Sequence, residues 1–328
     1  PNLSHFSLVG SMKNMSDAAF ERFVIEMKTI MSLKIPGGVK ITNYTFQSMV
    51  QKEVLYGPKP TGGLPNLVVL DVSGNNHVDD MSLSWIAAGC DGLQSFTIRH
   101  CDTNFDLGCR NFGNMRFLTY LNFSSCNGIS DVGLDFLTDG GCGRRLKKLI
   151  FQNMVSVSDR SILRFLLTCT NVTDLDLSDT TNLSDKNVAI TLRKLRKVTK
   201  LNVTGLPLIC KHFMETIRDY CPQIYDLNIS KCEKITTELL KLLQESKTIF
   251  KINISSCYGL DVNGITHVPN WRLTHLIARQ LPNLKDESIL SLASSHVELE
   301  YIDISYNDIT SKSLNALKKK CKKLHTVN

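Results

Sequence analysis

Eleven cysteines, eight histidines and one glycine-rich basic turn are the groups in this 328-residue chain with most chemistry to offer. The turn, "DGGCGRR" (139–145), has the glycines and cations of a phosphate cradle. It lacks the G-x-x-x-x-G-K-[ST] spacing that wraps phosphate oxygens in backbone N–H groups. A helix ending on glycine before a strand accounts for it better. "RHC" (99–101) sets a histidine beside a cysteine, but no C-x-x-C or H-E-x-x-H completes a zinc or protease site. His267, His275 and His296 are scattered, with no acid or nucleophile placed beside them. The asparagine sequons at 228–230 and 253–255 fall in strand-like stretches, the wrong place for a glycan. No catalytic, cofactor or metal constellation emerges, so the chain reads as a non-enzyme without a small-molecule substrate.

What the chain carries instead is a repeated element. The frame L-x-x-L-x-L, other apolar residues admitted, begins at Leu67, Leu93, Leu118, Leu146 and Val172. It returns at Val198, Ile224, Ile249, Leu273 and Leu299, with earlier copies at Leu3 and Ile30 and an incomplete one at Leu324. From Leu67 onward the starts lie 24–28 residues apart. Each copy opens with alternating apolar and polar residues, the pattern of a short strand with one buried face. A turn follows, closing in four copies on Ser-Asp: Ser16-Asp17, Ser130-Asp131, Ser158-Asp159 and Ser184-Asp185. A hydroxyl there accepts the free N–H groups of a helix start, and the aspartate suits the positive end of the dipole. Apolar residues then recur at helical spacing, as in Ile162, Phe165 and Leu166.

One such unit cannot bury its apolar face alone, whereas stacked copies share a continuous core. The expected fold is α/β: a leucine-rich-repeat solenoid, or horseshoe, with a parallel β-sheet on the concave face and helices on the convex face. Residues 1–328 read as a single domain of about twelve repeats, truncated within a repeat at both ends. The proline- and glycine-rich stretch 52–66 reads as a loop insertion.

The repeat also explains most of the cysteines. Cys101, Cys126, Cys232 and Cys257 stand eight residues after the first apolar position of their strands, where Asn75 and Asn307 stand in two other copies. Either side chain can turn inward there and satisfy backbone groups of the turn. Cys90, Cys169, Cys221 and Cys321 recur three residues before a strand, at a helix end. Eight buried, reduced thiols suit a reducing compartment such as the cytoplasm. Cys109, Cys142 and Cys210 lie outside both slots.

Hydrophobic residues make up 42% and charged residues 21%, with a formal charge of +7, values of an ordinary folded domain. The basic runs "LRKLRKVTK" (192–200) and "KKKCKKLH" (318–325) read as solvated edges, not as a nucleic-acid surface. No apolar run is long enough for a membrane span, and "PNLSHFSLVG" has no signal-peptide pattern.

"LTYLNFSSCNGISDVGLDFL" (118–137) and "DYCPQIYDLNISKCEKITTELL" (219–240) resemble the cysteine-containing leucine-rich repeats of F-box/LRR proteins, and the likeness runs through nearly the whole chain. The resemblance implies a substrate receptor of an SCF ubiquitin ligase, with Skp1 and a ubiquitination substrate as partners. No F-box pattern is present, so on this reading it lies upstream of Pro1. "GNNHVDDMSLSWI" and the long repeat ending "DFLTDGGCGRRLKKLIFQN" are similar to the F-box/LRR subunits of the nexin–dynein regulatory complex of motile cilia. That narrower likeness implies a scaffold in the axoneme, with other axonemal complex subunits as partners. The lengthened unit at 52–66, and Met154, Thr180, Leu206 and Leu281 in cysteine slots, depart from the pattern.

Function then falls to outward-pointing strand residues. One column is almost all Asp or Asn, from Asp71 through Asn122 and Asp176 to Asp303, and reads as consensus. The column two residues before it varies, and in Asp174, Lys200, Asp226 and Lys251 it alternates in charge. A third column is hydroxylic, as at Ser73, Ser124 and Ser178, except at Arg99, Gln152 and Arg279. Arginine and tyrosine are the usual energetic anchors of interfaces. Arg99, Tyr120, Arg279 and Tyr301, with His100 and His275 beside them, are therefore the expected partner-binding residues.

Overall fold

A computed structural model describes residues 3–7, 15–37, 41–50, 64–244, 246–268 and 272–328. The chain divides into two compact units, Pro1–Val172 and Thr173–Asn328, each described by itself. In the first, strands β1 (His5–Ser7), β2 (Ser32–Lys34), β3 (Val69–Asp71), β4 (Ser95–Thr97), β5 (Tyr120–Asn122) and β6 (Lys148–Ile150) alternate with helices. These helices are α1 (Asp17–Glu26), α2 (Asn43–Gln47), α3 (Asp80–Gly89), α4 (Gly108–Phe112), α5 (Asp131–Gly140) and α6 (Asp159–Leu166). The second unit has strands β7 (Asp174–Asp176), β8 (Lys200–Asn202), β9 (Asp226–Asn228), β10 (Lys251–Asn253), β11 (His275–Ile277), β12 (Tyr301–Asp303) and β13 (Thr326–Val327). Its helices are α7 (Asp185–Lys194), α8 (Lys211–Tyr220), α9 (Thr237–Leu240), α10 (Asp286–Ser295) and α11 (Ser311–Lys320). Within each unit every strand pairs in parallel with the next in sequence, in equivalent register, as Phe96 with Leu121 and Leu121 with Leu149. The leucine-rich-repeat solenoid fold expected from the periodicity is the fold observed. The insertion expected at 52–66 falls, but for Leu64–Asn66, outside the described residues.

Three kinds of internal bond set the repeat, and each traces to a sequence position. Ser16, Ser130, Ser158 and Ser184 all cap their helices through the side-chain oxygen, as expected. The acids behind the caps do more than favour a dipole. Asp17 accepts the Thr42 N–H at 2.9 Å and its hydroxyl at 2.6 Å, and Asp286 accepts the Thr310 N–H at 2.9 Å and hydroxyl at 2.6 Å. One repeat thus fixes the start of the next helix. Asp185 does the same for α8, accepting the N–H groups of Cys210 at 2.9 Å and Phe213 at 3.0 Å and the Cys210 thiol at 3.2 Å. Cys210, outside both cysteine slots, is a thiol where other repeats put a hydroxyl.

The inward slot behaves as its residue types require. The Cys126, Cys232 and Cys257 thiols donate to carbonyls of the preceding repeat, Ile98 at 3.3 Å, Val203 at 3.2 Å and Ile229 at 3.1 Å. The Asn75 amide reaches two carbonyls, Ile35 at 2.9 Å and Val72 at 2.6 Å. Burial pushes the Cys232 and Cys257 thiols up to about 12, so they remain protonated donors. Replacing Asn75 with alanine leaves two buried carbonyls unpaired. We expect it to lower unfolding free energy by about 1–3 kcal/mol, read from the urea midpoint at unchanged slope.

The core lies between strand and helix layers. In the first unit it is rich in phenylalanine: Phe96 meets Phe112 at 4.5 Å between centroids, and Phe123 stacks on Phe151 at 6.2 Å. At the matching places of the second unit stand Leu177, Val203, Ile229 and Ile254, all fully buried. No helix among the described residues is long and apolar enough to cross a membrane.

Candidate functional site

The sheet face opposite the helices carries the three outward columns, and hydrogen bonding separates structure from surface among them. The Asp/Asn column holds the end of each strand. Asp71 Oδ1 accepts the Ser73 N–H at 3.0 Å and hydroxyl at 2.6 Å; Asn122 accepts the same pair from Ser124 at 2.9 and 2.6 Å. Asp176, Asn202 and Asn228 repeat this with Ser178, Thr204 and Ser230. The sameness of two columns is therefore one local bond, a short polar side chain closing on its neighbour's backbone. Their exceptions coincide: Thr97 with Arg99, Ile150 with Gln152 and Ile277 with Arg279. In these three strands the Asp or Asn and the hydroxyl are lost together, and a long side chain stands in the hydroxyl's place.

In the variable column, Asp174, Lys200, Asp226 and Lys251 are direct cross-strand partners. Such half-solvated pairs stabilise by about 0.2–1 kcal/mol each, which makes this stretch a balanced surface. The Lys200 ammonium sits 5.9 Å from the Tyr225 ring, and that phenol, then Asp174 and Asp226, raise its pKa.

In the first unit the expected residues gather around β4 and β5. Arg99 is exposed, and its Nε donates to the Ser73 hydroxyl at 3.4 Å. Tyr120, one strand on, is half-buried; its phenol oxygen accepts from Asn122 Nδ2 at 3.4 Å, and the Lys148 ammonium lies 5.8 Å from its ring. His100 is exposed but belongs to the turn. It has φ 54°, and so do its equivalents Ser125 and Asn153, because this slot reverses the chain from strand toward helix. Its Cys101 neighbour donates to the Asn75 carbonyl at 3.3 Å, so "RHC" is a turn and a buried donor.

The second unit brings its three expected residues into one network. His275 and Tyr301 stack at 5.7 Å and 17°. Arg279 Nε donates to Asp303 Oδ2 at 2.8 Å, its Nη2 binds the same oxygen, and the Tyr301 hydroxyl adds a bond at 3.3 Å. Asp303 is 0% exposed, whereas Arg279 keeps 47% of its side chain in solvent. Burial alone would raise the Asp303 pKa, but Arg279, the Ser305 hydroxyl and N–H, and Asn328 hold it at about 2. Burial and the Lys251 charge lower the His275 pKa. Neither Asp303 nor Asn122 stood among the expected residues. The paired exceptions in the two columns were the available signal.

The lowered Asp303 pKa sets a pH dependence. A carboxyl at about 2 when folded and near 3.8 when unfolded adds stability above pH 4, and that stability drains away as pH falls toward 2. The urea-midpoint gap between the protein and Asp303→Asn should accordingly be wide at pH 5 and narrow steeply as pH falls to 2. A gap independent of pH removes the ion pair from the explanation.

His296 is buried against the carbonyls of Val268 at 3.3 Å and Leu292 at 3.2 Å, a packing role. Gly141 ends α5 at φ 80°, and Cys142–Arg145 turn as a 3₁₀ segment, so "DGGCGRR" is a helix stop.

A family model described as Leucine Rich repeat matches residues 114–137 and 299–318. Among solved structures, a chain of the Rad7 and Elc1 complex in yeast aligns at TM-score 0.57 and 15% identity, over 91% of this chain and 81% of that one. An internalin (inlF) from Listeria monocytogenes aligns at 0.54 and 18%, over 92% and 81%. The leucine-rich repeat-containing protein LegL7 from Legionella pneumophila aligns at 0.51 and 15%, over 98% of both chains.

Proposed function

We propose, from the premise that this is a leucine-rich-repeat protein, that residues 1–328 act as one non-enzymatic scaffold gripping protein partners on its sheet faces. The observation carrying this is the placement of exposed Arg99, half-buried Tyr120 and the His275–Tyr301–Arg279 network on surfaces where the other columns serve strand closure. Half-buried aromatics beside arginine are what interfaces use as anchors, and repeat arrays bind through such faces. The yeast structure it resembles is itself of a two-protein complex.

More specifically, the protein serves as a subunit of the axonemal nexin–dynein regulatory complex, holding neighbouring subunits in the cilium. The long repeat with its Asp-Gly stop and Arg144-Arg145 before β6 supports this reading. The cysteine-containing repeats support a second: the substrate-binding part of an SCF receptor working with Skp1. Fractionation of ciliated cells separates them. Retention on isolated axonemes through a high-salt wash is expected for the scaffold. Recovery only in soluble Skp1–cullin complexes overturns it in favour of the receptor.

A further inference from the structure

Arg99 and Arg279 occupy the same slot in their repeats, and the next repeat supplies the same companions. Behind Arg279 come Tyr301, Asp303 and Ser305; behind Arg99 come Tyr120, Asn122 and Ser124. Among these three companions the one chemical difference is acid against amide.

That difference decides what each arginine faces. In the second unit Asp303 Oδ1 is taken by Ser305, while Oδ2 receives Arg279, the Tyr301 hydroxyl at 3.3 Å and Asn328 at 3.4 Å. The carboxylate is the hub, and every group around it donates. In the first unit Asn122 Oδ1 is likewise taken by Ser124, but the outer position is an amide NH2, which donates to the Tyr120 oxygen. The tyrosine hydroxyl hydrogen, the amide and the guanidinium are then all donors, with no carboxylate in the place Asp303 fills to receive them. Without a carboxylate ahead of it, Arg99 leans back to the neutral Ser73 hydroxyl at 3.4 Å, and no carboxylate among the described residues pairs with it. A guanidinium binds a carboxylate through two directed N–H bonds, far better than it binds one hydroxyl. The Lys148 ammonium on the other side of Tyr120 adds positive potential.

We propose that Arg99, Tyr120 and Asn122 form a receptor for the carboxylate of an acidic side chain on a protein partner. The partner supplies from outside the group that Asp303 supplies from within. This rests on the reading of the sheet face as the binding surface and names what that surface takes. Binding swings Arg99 off Ser73 and onto the incoming acid.

The internal copy supplies the test. Asn122→Asp builds the missing carboxylate into the protein, in a setting the fold already accommodates at Asp303. The probe is a fluorescein-labelled peptide of alternating glutamate and glycine, followed by anisotropy at low salt. A glutamine–glycine peptide and oligothymidylate serve as comparators. The peptide is expected to bind the wild type, and Asn122→Asp and Arg99→Gln each to weaken it about tenfold, about 1.4 kcal/mol. Asn228→Asp adds the same charge to the same column beside no arginine and should leave affinity within about twofold.

A crystal structure of Asn122→Asp should show Arg99 turned forward onto the new carboxylate. The proposal is overturned if the wild type ignores the glutamate peptide, if Asn228→Asp weakens it as much as Asn122→Asp, or if Arg99 stays on Ser73. Tighter binding of oligothymidylate overturns it in favour of a nucleic-acid surface. Should the peptide fail while a photo-crosslinker at Ser95, beside Tyr120 on the sheet face, still captures a protein, only the acid recognition falls and the sheet-face reading stands.

Discussion

Leu121→Ala is expected to lower unfolding free energy by about 2–5 kcal/mol, as truncation of a large core side chain does. Leu121 is the centre of β5, fully buried, in register with Phe96 on one side and Leu149 on the other. Phe96 and Phe123 already meet edge to face at 6.4 Å, so rigid rings border the space and cannot collapse into it. Stability in a repeat array comes from each unit and its nearest neighbours, so the loss falls on three consecutive repeats. A domain holds only about 5–15 kcal/mol in all. Chemical denaturation at constant slope measures the effect, and a loss below about 1 kcal/mol contradicts the packing described.

Arg99→Ala combined with Tyr120→Ala should do the opposite: abolish partner capture and leave the melting temperature nearly unchanged. Arg99 is exposed and makes a single long bond, and Tyr120 is half in solvent with a 3.4 Å contact from Asn122. Little native structure is lost with them. At an interface centre, tyrosine and arginine truncations cost about 2 kcal/mol or more, near thirtyfold in affinity for one alone. Pull-down of the partner alongside a thermal melt reads both quantities. Normal capture by the double variant removes these residues from the interface; a large fall in melting temperature makes them structural.

Much of the fold was legible because it is written in two periods. Alternation gave the strands, and Ser130, Ser158 and their equivalents gave the helix starts, since each is a local pattern with a local cause. Asp17 was legible only in part, and Asp286, which follows Lys285 and not a serine, was not singled out. The acidity of Asp17 near a helix start was visible, but the bonds of the two acids to Thr42 and Thr310 join residues 24 or 25 apart and depend on stacking. The sheet-face residues show the same divide. Arg99 and Arg279 stood out as exceptions to a column, yet nothing in that column distinguishes them. Their difference lies in Asp303 and Asn122 one repeat later, where register brings side chains together. In sequence His100 adjoins Arg99 and so reads as part of the same surface. Its left-handed backbone puts it on the turn.

The central claim, that this chain works through its sheet faces, is testable by site-specific photo-crosslinking in cells. A benzophenone amino acid at Ser95, the cross-strand neighbour of Tyr120 on the sheet face, is compared with one at Val132, which is 52% exposed on α5. Protein adducts from the Ser95 position and none from Val132 are the predicted result. Adducts from Val132 with none from Ser95 would place the working surface on the helices and contradict it.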